Sequence, residues 1–217
     1  LTVRKDEPLD ALEPVQVAAL AKLASGEGLA GYLDCALVHV AYSTACRRVS
    51  LCEANVADLD LQDAVLRDRG KGDPDNGRRA YLSPSALEAV RRYLALRARQ
   101  EGPLAPDAPL FAAVGNRAGG KRLDLRSLTR IVSVLMLRAG HIARDEAGKI
   151  TRPRVLGFHS LRRSAVTAAF EREGLEAAQS LAGHADPRTT TRAYARVNKG
   201  KVLRRLASAL DLGGLSQ

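Results

Sequence analysis

HSLRRSAVTAAF, residues 159–170, is the stretch from which the fold is read. It opens a helix expected from Ser160 to Glu173, followed by two more short helices, Leu175 to Ala182 and Thr189 to Val197. His159 and Arg162 are three apart, so at a helix start they point the same way. Two further segments share its character: TACRRVSLCEANVADL at 44–59 and LAGHADPRTTTRAYARV at 181–197. Each sets a basic or polar residue among apolar ones, where a helix built only for a core would not place it.

Outward from these segments, helical periodicity dominates. Leu12 to Leu23 reads as a short amphipathic helix that tolerates Pro14 in its first turn. Gly31 to about Ser50 reads as one central buried helix, Pro84 to Gln100 as a strong one, and Leu125 to Ala139 as another. Val56 to Leu66 turns to near-alternation, and RRAYL follows the turn-rich run GKGDPDNG at 70–77. A small antiparallel sheet with that run as a hairpin tip is expected. Glu101 to Asp124 should be loop with a brief ordered piece at Leu110-Phe111, and His141 to Gly157 an extended or hairpin-like insertion. A last helix, about Lys201 to Leu210, carries Val202, Leu203, Leu206 and Leu210 along one stripe. The expected class is α+β, mainly α with a small antiparallel β-sheet at one edge.

Composition limits what such a fold can do. The chain has 217 residues, 46% of them hydrophobic, enough for one sizeable core. Lys and Arg number 34 against 24 Asp and Glu, a net charge of +10 that favours a polyanionic partner, nucleic acid first. Basic residues lie across many segments instead of along one amphipathic helix, which disfavours an anionic membrane. No stretch approaches a membrane span. Cys35, Cys46 and Cys52 are an odd count that fits no disulfide framework and suits a reducing cytoplasm. Cys35 and His39 are four apart, but no second pair completes a zinc site, so both are read as core. Asp58, Asp60, Asp63 and Asp68 could suggest a metal nuclease; alternation on solvated strands accounts for them better. The chain opens at Leu1 without an initiator Met, from which sequence upstream is expected.

The polar set has the parts that metal-free DNA strand cleavage needs. Arginine forks donate paired hydrogen bonds to phosphate oxygens. A tyrosine can attack phosphorus once its phenol, with an ordinary pKa near 10, loses a proton beside cations. Lysine or histidine can protonate the departing sugar oxygen. The candidates are Arg47, Lys71, His159, Arg162, His184 and Tyr194. Lys71 sits in a Gly-flanked turn, from which a long flexible cation can reach a neighbouring site.

HSLR at 159–162, AGH at 182–184 and then Tyr194 resemble the signature of the tyrosine recombinase (phage integrase) family. TACRR at 44–48 resembles that family's first arginine box, and GKG at 70–72 its hairpin lysine. The resemblance runs in order over nearly the whole chain. It implies an integrase-like catalytic domain over 1–217, its tail helix at 201–210 included and an upstream core-binding domain lying outside this chain. It also implies a site-specific recombinase: Tyr194 as nucleophile forming a 3′-phosphotyrosyl link, Arg47 and Arg162 clamping the phosphate, Lys71 as general acid. His159 would help accept the tyrosine proton and His184 would hydrogen-bond the phosphate. The implied partners are double-stranded DNA and further copies of the chain in a tetramer on DNA. No cofactor, metal or ATP is implied, and the setting is cytoplasmic, at a bacterial or phage nucleoid.

The chain departs from the family pattern at four places. His184 and Tyr194 are ten apart (194 minus 184), one more than usual. Ala45 stands where glycine is usual, and Ser50 where glutamate is common. Arg47 and Arg48 compete for the clamp; reading on without a gap to Asp58 favours Arg47. A type IB topoisomerase-like enzyme and a non-cutting helical DNA-binding regulator are the alternatives. Relaxation of supercoils without site preference would mark the first, and His-x-x-Arg beside a tyrosine argues against the second.

Overall fold

In the computed structural model, residues 11–26, 28–69, 77–115, 119–148, 150–151 and 157–183 are described. They form seven helices, α1 (Pro14–Ala24), α2 (Gly28–Thr44), α3 (Arg48–Glu53), α4 (Pro84–Glu101), α5 (Leu125–Arg138), α6 (Phe158–Glu173) and α7 (Leu175–Ala182). Strands β1 (Leu59–Asp60), β2 (Val65–Asp68) and β3 (Arg78–Tyr81) make an antiparallel sheet in that order, and β4 (Ala143–Arg144) pairs with β5 (Ile150–Thr151). The mainly helical α+β class expected from sequence is what the chain adopts. The expected helices at 189–197 and 201–210 and the hairpin tip at 70–76 lie outside the described residues. No helix among the described residues is long and apolar enough to cross a membrane.

α2 is the centre of the domain. Leu33, Ala36, Leu37, Val38, Val40 and Ala41 are all buried, so the helix is apolar nearly all round, as a helix surrounded by others must be. It packs against α1, α4, α5 and α6. The first turn of α1 accepts Pro14 because that position needs no amide donor. α4 starts at Ser83, whose hydroxyl accepts from the Ala86 amide at 3.3 Å, and α5 at Asp124, whose carboxylate accepts from the Ser127 amide at 2.6 Å. Ser43 near the end of α2 accepts from the Ser83 amide at 2.6 Å and donates to the Tyr81 carbonyl at 3.3 Å. These bonds pin the outgoing end of the sheet to the same end of α2. In the 102–124 loop, Leu110 and Phe111 are buried, and Phe111 stacks on Tyr93 of α4 at 6.2 Å between ring centroids.

Two expectations are corrected. The single helix expected over Gly31–Ser50 is two helices, with a break at residues 45–47. Ala45 adopts a left-handed backbone, φ 48°, which a side-chain-bearing residue enters at a cost of roughly 1–2 kcal/mol. Apolar periodicity continues across the break, so pattern alone could not reveal it. The acidic run is not uniformly solvated either: Asp60 and Asp63 are exposed, but Asp58 and Asp68 are 3% and 4% exposed. Each buried carboxylate has an arginine partner, Arg69 for Asp58 at 2.6 Å and Arg78 for Asp68 at 3.1 Å.

Candidate active site

The break after α2 creates the site. Where a helix stops, its last carbonyls lose their intrahelical donors and need others. Here the donors are guanidinium groups. Arg162 of α6 donates to the carbonyls of Ala45 and Ala182, so one side chain joins the end of α2 to the end of α7. Arg78 of β3 takes the adjacent carbonyls, Thr44 at 3.1 Å and Leu181 at 2.7 Å. Two arginines thus run in parallel across the same two helix ends.

α6 is fixed so that Arg162 can do this. Phe158, Leu161, Ala165 and Val166 are buried. Ser164 accepts from the Leu12 amide at 2.7 Å and donates to the Ser160 carbonyl at 2.6 Å, tying α6 to the segment entering α1. The Ser160 hydroxyl closes the helix start by accepting from the Gly157 amide at 3.2 Å. His159 is exposed in that first turn. Burial, then the charges of Arg48, Arg163 and Arg162, lower its pKa below the ordinary imidazole value. A neutral ring able to accept a proton at pH 7 results.

Arg47 and Arg48 have different surroundings. Arg48 donates to the Thr129 hydroxyl of α5 at 2.7 Å and is half-buried. Arg47 is exposed at the N-cap of α3, and its side chain makes no hydrogen bond or ion pair with any described residue. Its charge nonetheless reaches Arg162, whose pKa is lowered by burial first and then by Arg47 and Arg78. Arg47 and Arg162, 115 residues apart (162 minus 47), therefore converge, with His159 one helical turn from Arg162. Lys71, His184 and Tyr194 lie outside the described residues; Gly183, immediately before His184, ends α7 in a left-handed conformation, φ 56°.

Cys46 adjoins the arginines but is no nucleophile. It is fully buried, and burial, followed by the charge of Asp68, pushes its thiol up to about 11. Cys35, Cys46 and Cys52 are free thiols. Cys35 and His39 are not deep core: each is half-buried, and both line a groove with Tyr32, Glu88 and Arg92. No His/Cys/Asp/Glu group fit to hold a metal occurs among the described residues.

Sequence reasoning missed Arg78 and Asp68. A signal was present: β2 and β3 pair in a register that sets Asp68 opposite Arg78. An acid and a base flanking a hairpin tip at equal depth would have been worth reading as a pair.

The model of the phage integrase family matches residues 11–201. Tyrosine recombinase XerC of Thermodesulfovibrio yellowstonii is 32% identical over 169 residues, covering 76% of this chain and 50% of that protein. Tyrosine recombinase XerD of Bifidobacterium longum is 33% identical over 167 residues, with 76% and 50% covered. The chain spans about half the length of these curated relatives. Among solved structures, XerA recombinase superposes with a TM-score of 0.72 at 23% identity, over 97% of this chain and 66% of that one. XerH site-specific recombinase in a post-cleavage complex with palindromic difH substrate gives 0.66 at 21% identity, over 91% and 52%.

Proposed function

The chain belongs to the phage integrase family, and from that premise we propose that it is the catalytic half of a site-specific recombinase that cuts and rejoins DNA through Tyr194. The observation that carries the reading is the convergence of Arg47 and Arg162 at the broken end of α2. The open helix-end carbonyls account for Arg162, but Arg47 beside it is exposed and has no hydrogen-bond or ion-pair partner among the described residues. A phosphodiester calls for both: its two non-bridging oxygens become equatorial in the five-coordinate transition state and carry its negative charge, and fixed cations stabilise them without reorganising. XerH is bound to its palindromic difH substrate in the solved complex, and a net charge of +10 suits a nucleic-acid partner here.

The chemistry is a transesterification that conserves bonds. The Tyr194 oxygen forms a bond to phosphorus, and the bond from phosphorus to the 5′ oxygen breaks, leaving a 3′-phosphotyrosyl link. The phenol proton passes toward His159, whose ring is neutral and therefore receptive. Lys71 protonates the departing 5′ oxygen, and His184 donates to a phosphate oxygen. Attack by a 5′-hydroxyl from a partner strand reverses each transfer. The phosphotyrosine retains the ester's bond energy, so no ATP is required, and side-chain cations stabilise the phosphate, so no metal is required. Exchange between two duplexes calls for several copies of the chain, and a tetramer on DNA is the assembly proposed. The upstream DNA-clamping domain and a cytoplasmic, nucleoid setting belong to the same proposal.

The test is a pool of randomised duplexes, each nicked in one strand so that cleavage traps the protein. A covalent adduct should form with the parent chain and not with Tyr194→Phe, while duplex binding stays within about twofold, since one hydroxyl among many phosphate contacts carries little affinity. An adduct on another residue would refute the assignment. Relaxation of a supercoiled plasmid without site preference would redirect it to a topoisomerase.

A further inference from the structure

We propose that Asp68 is a positioning residue of this site: through Arg78 it holds together the ends of α2 and α7 on which the Arg162 guanidinium rests. The inference depends on the strand-cleavage reading above and assigns a role to a residue outside its catalytic set.

At the end of α2 the charges of Arg47 and Arg78 both act on the Arg162 guanidinium. Packed without a counter-charge, like charges would push Arg78 and Arg162 apart and release the carbonyls these two hold. An acidic group facing them is Asp68, whose charge acts on Arg162 in the opposite sense to theirs. Its side chain is 3% exposed, and one carboxylate oxygen accepts from Arg78 at 3.1 Å. Burial alone would raise its pKa. The Ser50 hydroxyl, the Arg78 charge and hydrogen bond, and the Cys46 thiol pull it below the ordinary carboxylate value instead. Asp68 is therefore an anion at neutral pH despite its burial.

Packing does not explain an aspartate at this position. The other oxygen, Oδ1, is buried and no described residue meets it in good hydrogen-bond geometry, a cost that an apolar side chain on β2 would not carry. What the negative charge does is hold Arg78, and Arg78 is committed in several directions. It reaches the carbonyls of Thr44 and Leu181 from a strand position directly opposite Asp68. It also lies so close to Gly183 that a Cβ there would stand 3.0 Å from the Arg78 Cδ. The residue after Gly183 is His184, and the segment between β2 and β3 carries Lys71. The Asp68–Arg78 pair thus sits where the Arg47 segment, the hairpin and the chain leading to His184 meet.

Ser50 belongs to the same cluster. Residue 50 follows Arg47 by three positions and its hydroxyl stands beside the Asp68 carboxylate. A glutamate at 50 would bring its own carboxylate into the same cluster. With serine there, the strand supplies the charge.

The experiment moves the carboxylate. Single-turnover cleavage of the nicked duplex pool, duplex affinity and melting temperature are measured for the parent, D68N, S50E/D68N, S50Q/D68N and R78K. Cleavage by D68N should fall about tenfold or more, the loss of one charge-assisted hydrogen bond, with affinity within about twofold. S50E/D68N should recover most of the rate and its neutral isostere S50Q/D68N none, a difference that a purely structural role would not produce. R78K keeps the charge but cannot fork across two helix ends, so it should also be slow; it carries the comparison if D68N melts below the assay temperature. Parental rates in D68N and R78K, or equal rates in the two double variants, would overturn the role of Asp68. Failure of the parent to form a Tyr194 adduct would instead bring down the strand-cleavage reading, and the positioning role with it.

Discussion

Arg47→Ala and Arg48→Ala are expected to fail in different ways. Arg47 is exposed, and its side chain touches no described hydrogen-bond or ion-pair partner, so its removal should leave the fold intact. What it loses is one fixed charge beside Arg162. Deleting one preorganised donor to a developing oxyanion costs about 2.7–4 kcal/mol, a fall of roughly 100- to 1,000-fold in cleavage rate. Arg48 donates to Thr129 at 2.7 Å across the α3–α5 contact. A charge-assisted hydrogen bond of this kind stabilises by about 1.5–3 kcal/mol, and at about 2–4 °C per kcal/mol for a domain this size the melting temperature should drop roughly 3–12 °C. Its cleavage rate, assayed well below the melting point, should fall less than tenfold, since Arg48 is engaged with α5. The assays are adduct formation on the nicked duplex pool and thermal denaturation followed by circular dichroism. If Arg48→Ala loses cleavage by orders of magnitude at unchanged stability while Arg47→Ala cleaves normally, the division of roles is refuted and the clamp is Arg48.

Three further outcomes are expected. Asp34 on α2 has its pKa raised to about 6 by burial, against the opposing charges of Arg130 and Arg138. Its protonated form is favoured by folding, so its contribution is full below about pH 4 and is lost as pH rises through 6. Asp34→Asn should therefore raise stability at pH 7.5 by about 1–2 kcal/mol, roughly half the unscreened value because the side chain is only partly buried, and by nothing near pH 4; denaturant unfolding at the two pH values checks it, and a gain that is the same at both would refute it. Adduct formation should persist in EDTA without nucleotide, because the cations invoked are side chains; strict dependence on added magnesium would contradict the mechanism. Deleting residues from Lys201 onward should impair recombination between two sites more than binding to one, if the apolar stripe of Val202, Leu203, Leu206 and Leu210 docks on a neighbouring copy. Parental recombination by the truncated chain would leave the tail a purely structural element.

Reading the linear chain settles whatever depends on near neighbours. Helix periods placed α1, α4, α5 and α7 within a residue or two of where they lie, since amphipathic spacing reports contacts within a few turns. The order of HSLR, AGH and the arginine box likewise identified the family, because each motif is a short run of neighbouring residues. Tertiary structure alone decided the destinations of the polar groups. That α2 stops at Thr44 depends on Ala45 turning its carbonyl to Arg162, a residue 117 positions away (162 minus 45). That Arg48 serves α5 while Arg47 faces Arg162 depends on how α3 packs. Asp60 and Asp68 look alike in the sequence, yet only the second is buried against an arginine. The physical reason is range: burying an apolar face requires only that the face exist, whereas a buried charge or an open carbonyl is satisfied by one particular partner that packing brings in from elsewhere in the chain.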